Sequence, residues 1–158
     1  MTKTAVGAPP ASGWNRMAPE LIVSDLETSL DYWCDVLGFD VAYRRPSERF
    51  AFLDLAGAQI MLRERDGKWQ TGPLEPPLGR GVMFQILTDD LPALERRLKD
   101  RRLPVYAGPR EVWRQTGDRE CGQREVFVQD PDGYLIMMNA DLGERPLSLG
   151  TGDPGPSR

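Results

Sequence analysis

The chain contains no histidine. That absence removes imidazole as a general acid or base, histidine-paired serine and cysteine nucleophiles, and every histidine-ligated metal site. Cysteine is scarce, with Cys34 and Cys121 the only two. Two thiols are too few for a thiolate zinc site or a disulfide-stapled secreted scaffold, and both are expected to be free in a reducing, cytoplasmic compartment. No stretch of about 18 apolar residues occurs, so no membrane-spanning helix is expected. The first residues lack a basic patch followed by an apolar run, so no secretory leader is expected either. Basic residues are outnumbered, 20 against 24 acidic ones, for a net charge of −4. That balance argues against a general nucleic-acid binder and is compatible with a cationic partner.

What is present is an ordinary globular composition, 40% hydrophobic and 28% charged over 158 residues, enough for one domain with its own core. Gly7, Pro9, Pro10 and Gly13 mark residues 1–15 as a flexible tail, and a second Gly/Pro-rich tail is expected over 143–158. The domain between them, 16–142, is divided by a loop at 66–81 that is dense in glycine and proline.

The two parts resemble each other. Leu21-Ile22-Val23-Ser24-Asp25-Leu26 matches Ile86-Leu87-Thr88-Asp89-Asp90-Leu91 at an offset of 65 residues. In each an apolar strand runs into a helix. Ser24 with Glu27 fits a capping box, and Asp90 before Leu91-Pro92 fits an N-cap. Leu26, Leu30, Trp33 and Leu37, and then Leu91, Leu94 and Leu98, keep helical spacing, which places Trp33 in the core. Phe50 to Gly57 matches Val126 to Gly133 at an offset of 76, so the 11 extra residues are expected in a long loop around Arg110 to Gly122. Asp130-Pro131-Asp132-Gly133 is a hairpin-turn signal. Each part reads as strand, helix, then about three strands, giving module one at 16–65 and module two at 82–142.

Alternation sorts the strand residues by face. Leu21, Val23, Ile60, Leu62, Phe84, Ile86, Ile136 and Met138 are all apolar and are assigned to the face under the helices. The opposite face mixes Glu20, Met61, Arg63, Met83, Gln85, Met137 and Asn139. An oily floor with a few polar contacts is what a small-molecule pocket needs. Trp69 and Trp113 fall in loop-like segments where an aromatic ring can stack on a ligand. The charges of 95–102 read as a solvated helix face with a Glu95–Lys99 pair, and the acids among them argue against a nucleic-acid surface. Cys121 has no histidine beside it to serve as a base.

Val23 to Leu30, Val36-Leu37-Gly38-Phe39 and Asp130-Pro131-Asp132-Gly133-Tyr134 together resemble the vicinal oxygen chelate superfamily, which includes glyoxalase I, the extradiol dioxygenases and the bleomycin resistance proteins. The resemblance covers about residues 17–142. It implies an α+β fold of two tandem βαβββ modules, a curved mixed sheet around a pocket, and a homodimer. The metal-ligand positions of the superfamily's enzymes fall at about Ala18, Met61, Met83 and Met137, none of them a hard oxygen or nitrogen donor. The run Gln123-Arg124-Glu125-Val126-Phe127 is similar to that leading into the last hairpin of the bleomycin resistance proteins, with Gly122 where those often carry tryptophan and Trp113 as a substitute ring.

The expected function is therefore metal-independent binding that sequesters a toxic, cationic or aromatic compound such as a bleomycin-class antibiotic. No cofactor and no catalytic residue is expected. The ligand-binding set is Glu20, Met61, Arg63, Trp69, Met83, Gln85, Trp113, Phe127, Met137 and Asn139. The alternative is a divergent glyoxalase-type lyase, isomerase or dioxygenase with Glu20 as base or partial metal ligand. A third reading is an interaction module with a vestigial pocket.

Overall fold

A computed structural model of the chain describes residues 6–147. Module one comprises β2 (Glu20–Val23), α1 (Leu26–Leu30) continuing into a π-helical stretch (Asp31–Val36), β3 (Asp40–Arg45), β4 (Phe50–Leu55) and β5 (Ala58–Glu64); a short β1 (Val6–Gly7) precedes them. Module two comprises β6 (Met83–Leu87), α2 (Leu91–Asp100), β7 (Ala107–Thr116), β8 (Arg119–Gln129) and β9 (Leu135–Pro146). The fold is α+β and both modules are βαβββ. Each builds its own mixed sheet, in the orders β1-β3-β4-β5-β2 and β6-β9-β8-β7. In both, the strand before the helix pairs parallel with the last strand, and the remaining pairs are antiparallel.

The helices lie between the sheets in one shared core. Leu21, Val23, Ile60 and Leu62 from sheet one and Ile86, Ile136 and Met138 from sheet two all enter it, with Phe84 packed against it, as their alternation requires. Trp33 has no exposure; its ring meets Phe39 edge-on at 5.3 Å and its Nε1 donates to Asp130 Oδ2 at 3.1 Å. Asp130 belongs to the β8–β9 turn, so a module-one helix is tied to the module-two hairpin. Tyr134 adds a second tie by donating its hydroxyl to the Ile22 carbonyl at 3.0 Å.

Several local expectations change on folding. The cap of α1 is Asp25, which accepts from Thr28 N at 2.7 Å. Ser24 instead donates its amide (3.0 Å) and hydroxyl to Asp132, and Glu27 pairs with Arg44. Asp90 does cap α2, accepting from Ala93 N at 3.0 Å. Glu95 is held by Arg124 rather than Lys99, and Arg101 pairs with Asp31 and Asp35 of the first helix. The 11 extra residues lengthen a hairpin instead of a loop, because Arg110 to Thr116 pair residue by residue with Glu125 back to Arg119, beyond a bulge between Ala107 and Arg110.

The expected N-terminal tail is a bound strap over residues 6–15. Val6 and Gly7 pair with β3, Ser12 donates to Asp54 at 2.6 Å, and the Asn15 amide donates to Gln59 at 2.9 Å. At the other end β9 runs on to Pro146, so residues 143–146 are strand rather than tail. Residues 1–5 and 148–158 lie outside the described residues. None of the described helices is long and apolar enough to cross a membrane.

Candidate functional site

The core occupies the helix side of each sheet, which leaves the two outer faces free to form a site. They differ. On sheet one, Glu20, Met61 and Arg63 sit on the outer face, as alternation requires, but their polar groups are satisfied within the module. Arg63 is buried; its Nε donates to Glu20 Oε1 at 2.6 Å, and Glu48 and Asp66 lie at 3.9 and 3.8 Å. The hydrogen bond to Glu20, with the nearby acids, raises the Arg63 pKa against the opposing effect of burial. Arg45 stacks on Phe50 at 4.3 Å, Tyr43 stacks on Phe52 at 5.3 Å, and Trp14 of the strap meets Phe52 edge-on at 5.4 Å. Module one thus covers much of its outer face with its own side chains.

Sheet two carries an open cavity of about 460 Å³. Met83, Phe127 and Met137 form its apolar part, Gln85, Gln123 and Thr116 its neutral polar part, and Arg110, Arg114 and Cys121 the rest of the wall. The strand register explains the set. Arg110 lies opposite Glu125, Arg114 opposite Cys121, Phe127 opposite Met137, and Met137 opposite Gln85. Directly opposed residues share a face, so the alternating residues of β6, β9, β8 and β7 form one continuous surface.

Glu125 lies beneath this surface with no exposure, next to a buried Asn139 across β9. Arg110 Nε donates to Glu125 Oε2 at 3.0 Å, and Arg114 Nη1 donates to Oε1. Burial is the largest single influence on the Glu125 carboxyl and pushes its pKa up. The hydrogen bonds and charges of Arg114 and Arg110 together outweigh it, so the pKa falls below its ordinary value. The Arg110 guanidinium also lies over the Phe127 ring, 5.0 Å from its centre. Asn139 Oδ1 is buried without a hydrogen-bond partner among the described residues. Asp141, opposite Gln123, sits exposed with its carboxylate on the Gly143 amide at 2.9 Å.

Of the ten sequence-derived site residues, Met83, Gln85, Phe127 and Met137 meet in the cavity, and Asn139 is buried on the same face. Glu20, Met61 and Arg63 belong to the other sheet and line no part of it. Trp69 stands 75% exposed in the connecting loop, at a positive φ of 58°. Trp113 is on the strand face away from the cavity. Its ring lies where a side chain on Gly122 would stand (a Cβ there would come within 2.7 Å of it), and Arg145 stacks on it at 4.1 Å. Trp113 does fill the space left by Gly122, but on the side turned from the cavity. Sequence reasoning missed Arg110, Arg114, Thr116, Cys121 and Gln123. Their signal was the alternation of 110–116 and 121–127, masked because the segment reads as a charged loop.

The residues present do not fit a divalent metal. The superfamily positions hold Ala18, Met61, Met83 and Met137, and only the two last reach the cavity. A thioether is a soft, weak ligand for a hard cation. Among the described residues no group of three or more cysteine, aspartate or glutamate side chains converges.

The family model described as Glyoxalase/Bleomycin resistance protein/Dioxygenase superfamily matches residues 15–138. The chain is 30% identical over 118 residues to metallothiol transferase FosB of Bacillus licheniformis, covering 74% of this chain and 69% of that protein. It is also 30% identical over 128 residues to glyoxalase domain-containing protein 4 of Rattus norvegicus, covering 81% of this chain but spanning only 41% of that relative. Among solved structures, a virulence protein of Salmonella typhimurium superposes with a TM-score of 0.57 at 21% identity, covering 80% of this chain and 97% of that one. At that identity the likeness shows the fold.

Proposed function

The chain belongs to the Glyoxalase/Bleomycin resistance protein/Dioxygenase superfamily, and from that premise we propose that it binds a small organic molecule in the sheet-two cavity without a metal ion, sequestering it as a resistance protein does. The observation that carries this reading is the cavity itself. Met83 and Met137 replace hard ligands with apolar surface, Phe127 offers a ring, and the amides and guanidiniums around them are fixed by the sheet. The size, about 460 Å³, suits a compound of a few rings. The proposal includes a cytoplasmic protein acting as a homodimer, with a toxic aromatic compound as ligand and bleomycin-class glycopeptides as the first compounds to try.

The alternative with Glu20 as base or metal ligand finds no support in the geometry. Its carboxylate is engaged by Arg63 on sheet one, outside the cavity.

The test is thermal melting of purified protein with divalent metals, bleomycin-class glycopeptides and a panel of aromatic drugs, beside elemental analysis. A ligand that binds the native state raises the melting temperature by mass action. Stabilisation by an organic compound, lost in Phe127→Ala, supports the reading. Stoichiometric bound metal, or stabilisation by metal alone, overturns it.

A further inference from the structure

We propose that the sheet-two cavity takes an organic anion, its acid group on Arg110 and its apolar body on Phe127, Met137 and Met83. This rests on the reading of the cavity as a small-molecule site and assigns the charge of what fills it. The chain as a whole carries a net −4, which by itself suggests a cationic ligand. The walls are the reverse: they contain two guanidiniums and no carboxylate. Of the acids on that face, Glu125 is sealed beneath the wall with both oxygens taken by the two arginines, and Asp141, opposite Gln123, lies outside the lining with one oxygen on the Gly143 amide. The two guanidiniums share one carboxylate, so the wall keeps a net positive charge that a cation entering here would meet.

Arg110 is built to receive an acid. It spends only Nε on Glu125, and its two Nη groups have no hydrogen-bond partner among the described residues. The Nη end of a guanidinium presents paired donors in a plane, matching two oxygens of a carboxylate or phosphoryl group. Its position is also set in advance. The bond to Glu125 fixes one edge and the Phe127 ring supports one face, so little side-chain freedom remains to be lost on binding. A buried carboxylate is a costly way to build a wall, and here it holds a cation at the mouth of an apolar floor. The same Phe127 lies beneath both the guanidinium and the cavity, so a ligand acid on Arg110 places its apolar part on that ring and the methionines beyond it.

The test compares three one-ring probes of matched shape: benzoate, benzamide and benzamidinium. The readout is the dissociation constant of each probe by titration calorimetry, which follows binding between Arg110 and Phe127 directly. Benzoate is expected to bind at least tenfold more tightly than benzamide, and benzamidinium to give no saturable heat. Arg110→Gln is expected to weaken benzoate at least tenfold and to leave benzamide unchanged; Arg110→Lys, which keeps the charge without the fork, falls between. The three-probe comparison on the unaltered protein stands even if Arg110→Gln folds poorly. Equal affinity for all three probes, or unchanged benzoate affinity in a folded Arg110→Gln, overturns the charge assignment and leaves the cavity a small-molecule site. No saturable binding of any probe overturns both readings.

Discussion

Glu125 is a carboxylate with no solvent exposure that stays ionised because two arginines face it from one strand. Its pKa lies below the ordinary 4.5, so the stability it contributes is present above that value and is lost as pH falls through its folded value. Glu125→Gln is expected to cost about 2–3 kcal/mol near neutral pH, less than for a fully buried pair because its arginines are 42% and 44% exposed. Urea titrations across pH check this: the variant should lack part of the wild-type loss in acid. Asp130 has the opposite sign. Burial raises its pKa against the hydrogen bonds from Trp33 and Tyr134, so its contribution is present at low pH and lost as pH rises through its folded value. Gly133 follows from backbone geometry alone. Its φ is 94°, and a Cβ there would stand 2.5 Å from the Pro77 Cβ. Gly133→Ala is expected to destabilise by about 2 kcal/mol or more, as strain and overlap add, read as a lower urea midpoint at unchanged slope.

At the scale of elements, the start of α1 shows how local signals compete. Ser24-x-x-Glu27 and Asp25-x-x-Thr28 both fit helix starts, and sequence pattern alone favours the capping box. The folded chain uses Asp25 as the cap and commits Ser24 to Asp132 in the other module, 108 residues away. Asp25→Ala is therefore expected to lower stability by loss of the cap, and Ser24→Ala by loss of the module contact. Glu27→Ala, which removes only an exposed pair with Arg44, is expected to change it by less than about 0.5 kcal/mol. Chemical denaturation of the three variants checks the order. The β7–β8 hairpin shows the same competition in a strand. Arg124 and Glu125 are adjacent in sequence, yet Arg124 reaches Glu95 on the helix side while Glu125 meets Arg110 on the cavity side. An alternating charged strand is read easily as a solvated loop until its partner strand is known.

At the scale of the molecule, both modules enter one core. The Trp33–Asp130 and Tyr134–Ile22 hydrogen bonds cross between them, as does the Arg97 Nε bond to the Val36 carbonyl at 2.7 Å. This predicts a single cooperative transition, with tryptophan fluorescence and far-ultraviolet circular dichroism giving coincident urea curves. Trp33→Phe keeps most of the ring volume but deprives Asp130 of a buried donor, and is expected to cost about 1–3 kcal/mol. Two separated transitions would show that the modules fold independently.

The sequence by itself determined the α+β repeat, the helix-facing apolar set, the Asp130–Gly133 turn and the absence of histidine. Each is carried by local periodicity or by residue identity, which folding does not alter. Part of the site was legible in the same way: Met83, Gln85, Phe127 and Met137 alternate on strands and meet as alternation requires. Only the tertiary structure decided that the two outer faces differ, because long-range contacts set them. A strap from residues 6–15 and an Arg63–Glu20 pair cover sheet one, while an extended hairpin brings Arg110 and Arg114 over sheet two. It also separated net charge from local charge. The chain is acidic, but pairing buries Glu125 beneath two arginines and leaves the cavity wall positive, since electrostatics at a site depends on which charges face it, not on their sum.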